Sequence, residues 1–168
     1  MVIPLLWRRI VSYWTKLNLP IRAGVTPEQI AEFEQKYQVV LPADLSEFLQ
    51  TVDGTGQEES DEYLTSFLSL SEIVPVHEWL DDSRGVVHPD RFAYPDCFVF
   101  IDYCLSAWAY AVRITSDPAD PGPVYRVMEG GSRGQLEARS FREFMIKYAS
   151  DPQSIIDVSL RIRPPRVD

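Results

Sequence analysis

Apolar side chains recur along the chain with two periods, and the switches between the two mark out its elements. Trp7, Ile10, Val11, Trp14 and Leu17 stand at helical spacing with Arg8, Arg9, Ser12, Thr15 and Lys16 between them. This predicts an amphipathic helix of about three turns, ended by Asn18-Leu19-Pro20. Thr26 is a good N-cap, because its hydroxyl can accept from a free N–H of the first turn. Pro27 suits the first helical position, and Gln29 completes a capping box. Ile30, Phe33 and Tyr37 then form one apolar face. Val39-Val40-Leu41 is a β-branched join before a proline, which disfavours helix. After Pro42, the residues Leu45, Phe48, Leu49 and Val52 repeat the helical pattern, and Gly54 stands where a C-terminal glycine belongs.

The period then falls to two. Tyr63 to Leu70 reads as a strand. Ser71 can cap a short helix carrying Ile73, Val74, Val76, Trp79 and Leu80, with Pro75 in its first turn. Cys97 to Ile101 and Ala107 to Ile114 are apolar strands close enough for a hairpin. In the second, Trp108, Tyr110, Val112 and Ile114 make a large face and Ala109, Ala111 and Arg113 a small one. The small face is where a helix is expected to lie. Thr115 to Pro123 is a proline-rich loop, Val124 to Met128 a strand, and Gly130 to Gly134 a glycine-rich turn before a short strand. Ser140 and Glu143 form a second capping box, opening a helix with Phe141, Phe144, Met145 and Tyr148 on one face. The order predicts an α+β fold, a mostly antiparallel sheet with helices packed on one face. One domain over residues 1–160 is expected, with 161–168 as a tail.

Residues 24–54 carry a resemblance. Ile30, Phe33 and Glu34 on the first helix, Leu41-Pro42 at the join, and Asp44, Phe48 and Leu49 on the second helix resemble the opening of the SUKH superfamily. Within it the match is to the cell-wall assembly regulator-like (Smi/Knr-type) family, with its bacterial immunity-protein-like members. Where that family usually has Asn-Gly, this chain has Asp53-Gly54. None of these residues is a catalytic group, so the resemblance implies a fold and a binding role. The N-terminal amphipathic helix, similar to a tryptophan-containing helix in relatives, is read as packed on the domain. A membrane-surface helix stays open, since tryptophan and basic residues suit an interface. A signal peptide does not fit, because arginines interrupt the apolar stretch.

Composition narrows the chemistry. The 168 residues are 45% hydrophobic and 24% charged, ordinary for a globular protein, with a net charge of −9. The charge is uneven: residues 1–23 hold four bases and no acid, whereas residues 24–102 hold 17 acids and three bases. Such a field disfavours nucleic acid, whose phosphates need cations; it either steers a basic protein partner or serves solubility alone. Glu58, Glu59, Asp61 and Glu62 crowd one polar loop and Asp81 and Asp82 follow the short helix; these six are the candidate partner-binding residues. The loop lacks the ligand spacing and glycine of a calcium site. Cys97 and Cys104 match no zinc spacing and read as reduced thiols. His77 and His88 have no catalytic motif around them, and the glycine turn lacks the lysine of a phosphate loop. No cofactor, metal or catalytic residue is expected. No stretch reaches the roughly 18 to 20 apolar residues of a membrane span, so a cytoplasmic location is expected.

Three function classes follow. Many bacterial SUKH-family members are implied to bind and neutralise a toxin, often a nuclease whose basic cleft an acidic surface can occlude. The second class is a regulatory scaffold resembling the fungal cell-wall assembly regulators, which are generally longer. The third, an enzyme, lacks a recognisable constellation in the sequence. The immunity role ranks first.

Overall fold

The computed structural model describes residues 2–79, 96–127 and 135–156. Three helices come first: α1 (Leu5–Lys16), α2 (Pro27–Tyr37) and α3 (Ala43–Thr51). Strands β1 (Thr65–Phe67), β2 (Val74–Pro75), β3 (Cys97–Tyr103), β4 (Trp108–Arg113), β5 (Val124–Val127) and β6 (Gln135–Ala138) follow, then helix α4 (Phe141–Ser150) and a 3-10 turn at Pro152–Ile155. The sheet runs β1-β3-β4-β5-β6, with β2 also on β3, and every pairing is antiparallel. The fold is therefore α+β, as the periodicity implies.

Local chemistry sets the helix ends. Thr26 Oγ1 accepts from Gln29 N–H at 3.2 Å while Gln29 Oε1 accepts from Thr26 N–H at 2.8 Å, a complete capping box. At α4 only half of the predicted box forms. Ser140 Oγ accepts from Glu143 N–H, but the Glu143 carboxylate takes the N–H of Arg139 instead. Helix α3 ends at Thr51, and Val52 is already extended. Gly54 is thus not its cap. Its φ is +66°, and a Cβ there would stand 2.5 Å from the Phe67 carbonyl oxygen. Only glycine lets the chain turn left-handed and pass this close to β1.

Two further expectations are corrected. Residues 71–73 are not helical: Val74 and Pro75 pair with Val99 and Phe98, and helix starts only at Val76. Pro75 lacks an N–H, which a two-residue strand at the sheet margin tolerates. Helices α2 and α4 lie on the large face of β4, where the small face is the expected one. Phe98 stands opposite Val112, which shares its face with Tyr110. Over this face Phe33 and Tyr37 of α2 lie 5.7 and 5.1 Å from Phe98, and Phe144 of α4 lies 5.2 Å from Tyr110. A register shift between Val99 and Ile101 lets Phe100 meet Phe67, Phe141 and Phe144. Large rings on the sheet interlock with rings on the helices, which recovers more buried area than a flat alanine face can offer.

Helix α1 is packed on the domain. Trp7, Ile10 and Trp14 are buried in the core. Trp7 lies 5.3 Å from Phe48 and 6.2 Å from Phe141, and Trp14 lies 5.1 Å from Phe67. Its apolar stripe is therefore occupied by protein, while Arg8, Arg9, Ser12 and Lys16 face outward. Among the described residues no helix is long and apolar enough to cross a membrane.

Candidate functional site

The acidic loop is built as a closed, pinned structure. Its entrance is tied to β1: the N–H groups of Thr55 and Gly56 both donate to the Phe67 carbonyl at 2.9 Å. Thr55 is fully buried; its hydroxyl accepts from Phe67 N–H and donates to the Glu59 carbonyl at 2.8 Å. Glu72 braces the neighbouring segment by accepting from the N–H groups of Gln57 and Ser69. The exit is closed by Asp61 N–H donating to the Thr65 carbonyl at 3.1 Å.

The structure divides the four acids of this loop. Glu58, Glu59 and Glu62 are exposed, whereas Asp61 is only 3% exposed. Asp61 Oδ1 accepts from the N–H groups of Tyr63 and Thr65 at 2.9 and 3.0 Å, and Oδ2 accepts from the Tyr148 hydroxyl at 2.8 Å. Tyr148 in turn accepts from Trp14 Nε1 at 2.9 Å. A chain of hydrogen bonds thus runs from α1 through α4 into the loop. The expected exposure of Asp61 is not met, because a short carboxylate beside three donors is better satisfied inside than out. Burial pushes the Asp61 carboxyl above the usual carboxylate range, opposed by those donors. Burial first, and then the charge of Asp61, push the Tyr148 hydroxyl far above its ordinary value, so it stays a donor. Tyr13 of α1 donates to Glu62 at 3.1 Å, fixing one outward carboxylate. Asp81 and Asp82 lie outside the described residues, as do His88, the glycine turn and the 160/161 boundary.

The signature residues of 24–54 turn out to be structural. Glu34 Oε1 accepts from Leu41 N–H at 2.8 Å, holding the join between α2 and α3. Asp44 pairs with Arg142 Nη2 at 2.6 Å, tying α3 to α4. Asp53 Oδ1 accepts from Leu70 N–H at 2.7 Å. Asp53 also borders a surface cavity of about 400 Å³ lined by Phe33, Lys36, Tyr37 and Ile73; burial raises its carboxyl. Inspection of sequence alone missed a buried ion pair, Arg126 Nε to Glu137 Oε1 at 3.0 Å. Arg126 also donates to the Ile155 carbonyl at 2.8 Å and lies 4.9 Å from the Trp108 ring. Alternation in β5 put Arg126 on a face with no marker of its partner.

Cys97 opens β3 and is buried, its thiol pushed up to about 12 by burial; Cys104 is half-buried in the β3–β4 turn, and both are free. His77 is exposed. Among the described residues no group of three or more His, Cys, Asp or Glu is placed to hold a metal ion. The acidic loop presents its carboxylates at the surface and is anchored to the core at both ends.

The layered α+β domain carries this acidic loop at its surface. Residues 24–147 match the SMI1 / KNR4 family (SUKH-1), and the chain belongs to that family. Helix α1 precedes the matched segment yet fills its core. No curated protein matches the chain. Family membership supports a protein-binding role of the immunity or Smi1/Knr4 type.

Proposed function

We propose that this protein is an immunity protein, not an enzyme, that binds a basic toxin in the cytoplasm and neutralises it by covering its cationic cleft. The observation that carries the reading is the pinned loop with Glu58, Glu59 and Glu62 turned to solvent on a SUKH-1 fold. A rigid array of carboxylates loses little entropy on docking and speeds encounter with a cationic surface. A nuclease is the partner class whose basic cleft best complements it. Asp81 and Asp82 belong to the proposed contact set; Asp61 supports it from beneath by holding the loop in shape.

The test is capture of the tagged protein's partner from its own cells at low and high salt, followed by an assay of that partner's nuclease activity. Release by salt, and inhibition of the nuclease by the wild-type protein but not by Glu58→Lys/Glu59→Lys/Glu62→Lys, is the expected result. Full inhibition by the triple variant, with its fold intact, refutes the acidic surface. Salt-resistant capture of several neutral proteins favours the regulatory scaffold.

A further inference from the structure

We infer that the partner docks on the end of the sheet where Leu64 and Leu105 project, and that it presents an apolar socket ringed by basic side chains. The inference rests on the reading of the chain as a protein-binding domain with an acidic loop, and adds the apolar centre that reading lacks.

Leu64 and Leu105 are distant in sequence but adjacent in space. Thr65 pairs with Tyr103, and Cys104 N–H donates to the Leu64 carbonyl at 2.9 Å, so the two turns lie side by side. Leu64 is 51% exposed and Leu105 is 100% exposed. Solitary exposed leucines are common on protein surfaces, but these two are held in an unusual way. Leu64 has φ of 64°, and Cys104, Leu105 and Ser106 form a consecutive left-handed run with φ of 49°, 55° and 68°. Non-glycine residues rarely adopt this region, and persist in it only where the surroundings impose it.

The surroundings do impose it. Asp102 accepts from Ser106 N–H at 2.7 Å and from Ser106 Oγ at 2.9 Å. Ala107 N–H donates to the Tyr103 carbonyl at 2.9 Å. The rings of Tyr103 and Trp108 stack at 4.0 Å at the base of the turn, with the Arg126 guanidinium against Trp108. Leu64 is bracketed by the Asp61 carboxylate, which holds the N–H groups on either side of it. Two apolar side chains on locked backbones bind with little ordering cost.

Charge selects the occupant. Segments 57–66 and 102–108 contain no lysine or arginine, while Glu58, Glu59 and Glu62 stand exposed in the same loop as Leu64. An apolar centre flanked by these exposed carboxylates complements a basic protein surface and repels an acidic one.

The experiment places the photo-reactive residue p-benzoylphenylalanine at position 64, 105 or 146 of the full chain in its own cells. Ile146 is the control, an exposed apolar residue on α4. Positions 64 and 105 are expected to give adducts with the same basic protein, and position 146 none. Against that purified protein, Leu64→Asn and Leu105→Asn each lower affinity at least about tenfold, chiefly by faster dissociation. Asparagine tolerates the left-handed region, so the turns survive the change. Adducts with a second copy of this chain, adducts only at 146, or no adduct at 64 and 105 overturn the inference. So does wild-type affinity of both asparagine variants. If the triple lysine variant loses the partner while the asparagine variants keep it, this inference fails and the acidic-surface reading stands.

Discussion

Tyr148→Phe tests whether the chain from Trp14 to Asp61 holds α1, α4 and the acidic loop together. The ring itself is unchanged, so its contacts with Phe67 at 4.7 Å and Tyr13 at 6.1 Å survive. Only the hydroxyl is lost, and with it two hydrogen bonds of 2.9 and 2.8 Å. Trp14 Nε1 is then left as a buried donor without an acceptor, a cost of about 1–3 kcal/mol. Asp61 loses a hydrogen bond to a charged group, worth about 1.5–3 kcal/mol. The Tyr63 and Thr65 N–H partners of Oδ1 remain, and relaxation recovers part of the loss, so a net cost of about 3 kcal/mol is expected. Urea unfolding followed by tryptophan fluorescence and far-UV circular dichroism reads it. With a slope of about 2 kcal/mol/M the midpoint falls by about 1.5 M. Trp14→Phe/Tyr148→Phe adds a further check. Once the orphaned N–H is gone, the double variant costs less than the two single ones together. A loss below about 0.5 kcal/mol for Tyr148→Phe, or strict additivity, refutes the linkage.

Two other outcomes are expected. Gly54→Ala forces a Cβ against the Phe67 carbonyl at positive φ, and thermal melting should show a loss of more than about 2 kcal/mol. Alkaline stability reports on Cys97: burial raises its thiol from 9.0 to about 12, so the folded state keeps a proton that the unfolded chain has lost. Stability is therefore unaffected below pH 9 and falls as pH rises through 9 towards about 12. Cys97→Ala should flatten that slope between pH 9 and 10 in urea titrations, and an unchanged slope contradicts the burial argument.

The amino-acid sequence by itself determined the periodic elements, because the apolar spacing and the caps are local facts. Thr26, Pro27 and Gln29 fix the start of α2 wherever the helix goes, and Trp7, Ile10 and Trp14 specify a helix with one apolar stripe. The family signature was legible too, though not its purpose: Glu34, Asp44 and Asp53 each meet a partner, Leu41, Arg142 or Leu70, that only folding brings within reach. Tertiary structure alone decided which stripe meets which face. Alternation along β4 separates large from small but cannot say that Phe33 and Phe144 come down on the large side. It alone split the acidic loop, since four carboxylates within five residues look equivalent until one is paired with Tyr148, far along the chain. It alone set Leu64 beside Leu105. Spacing encodes periodicity, whereas burial and partnership depend on what arrives from elsewhere in the chain, and the proposed contact surface is made of the second kind.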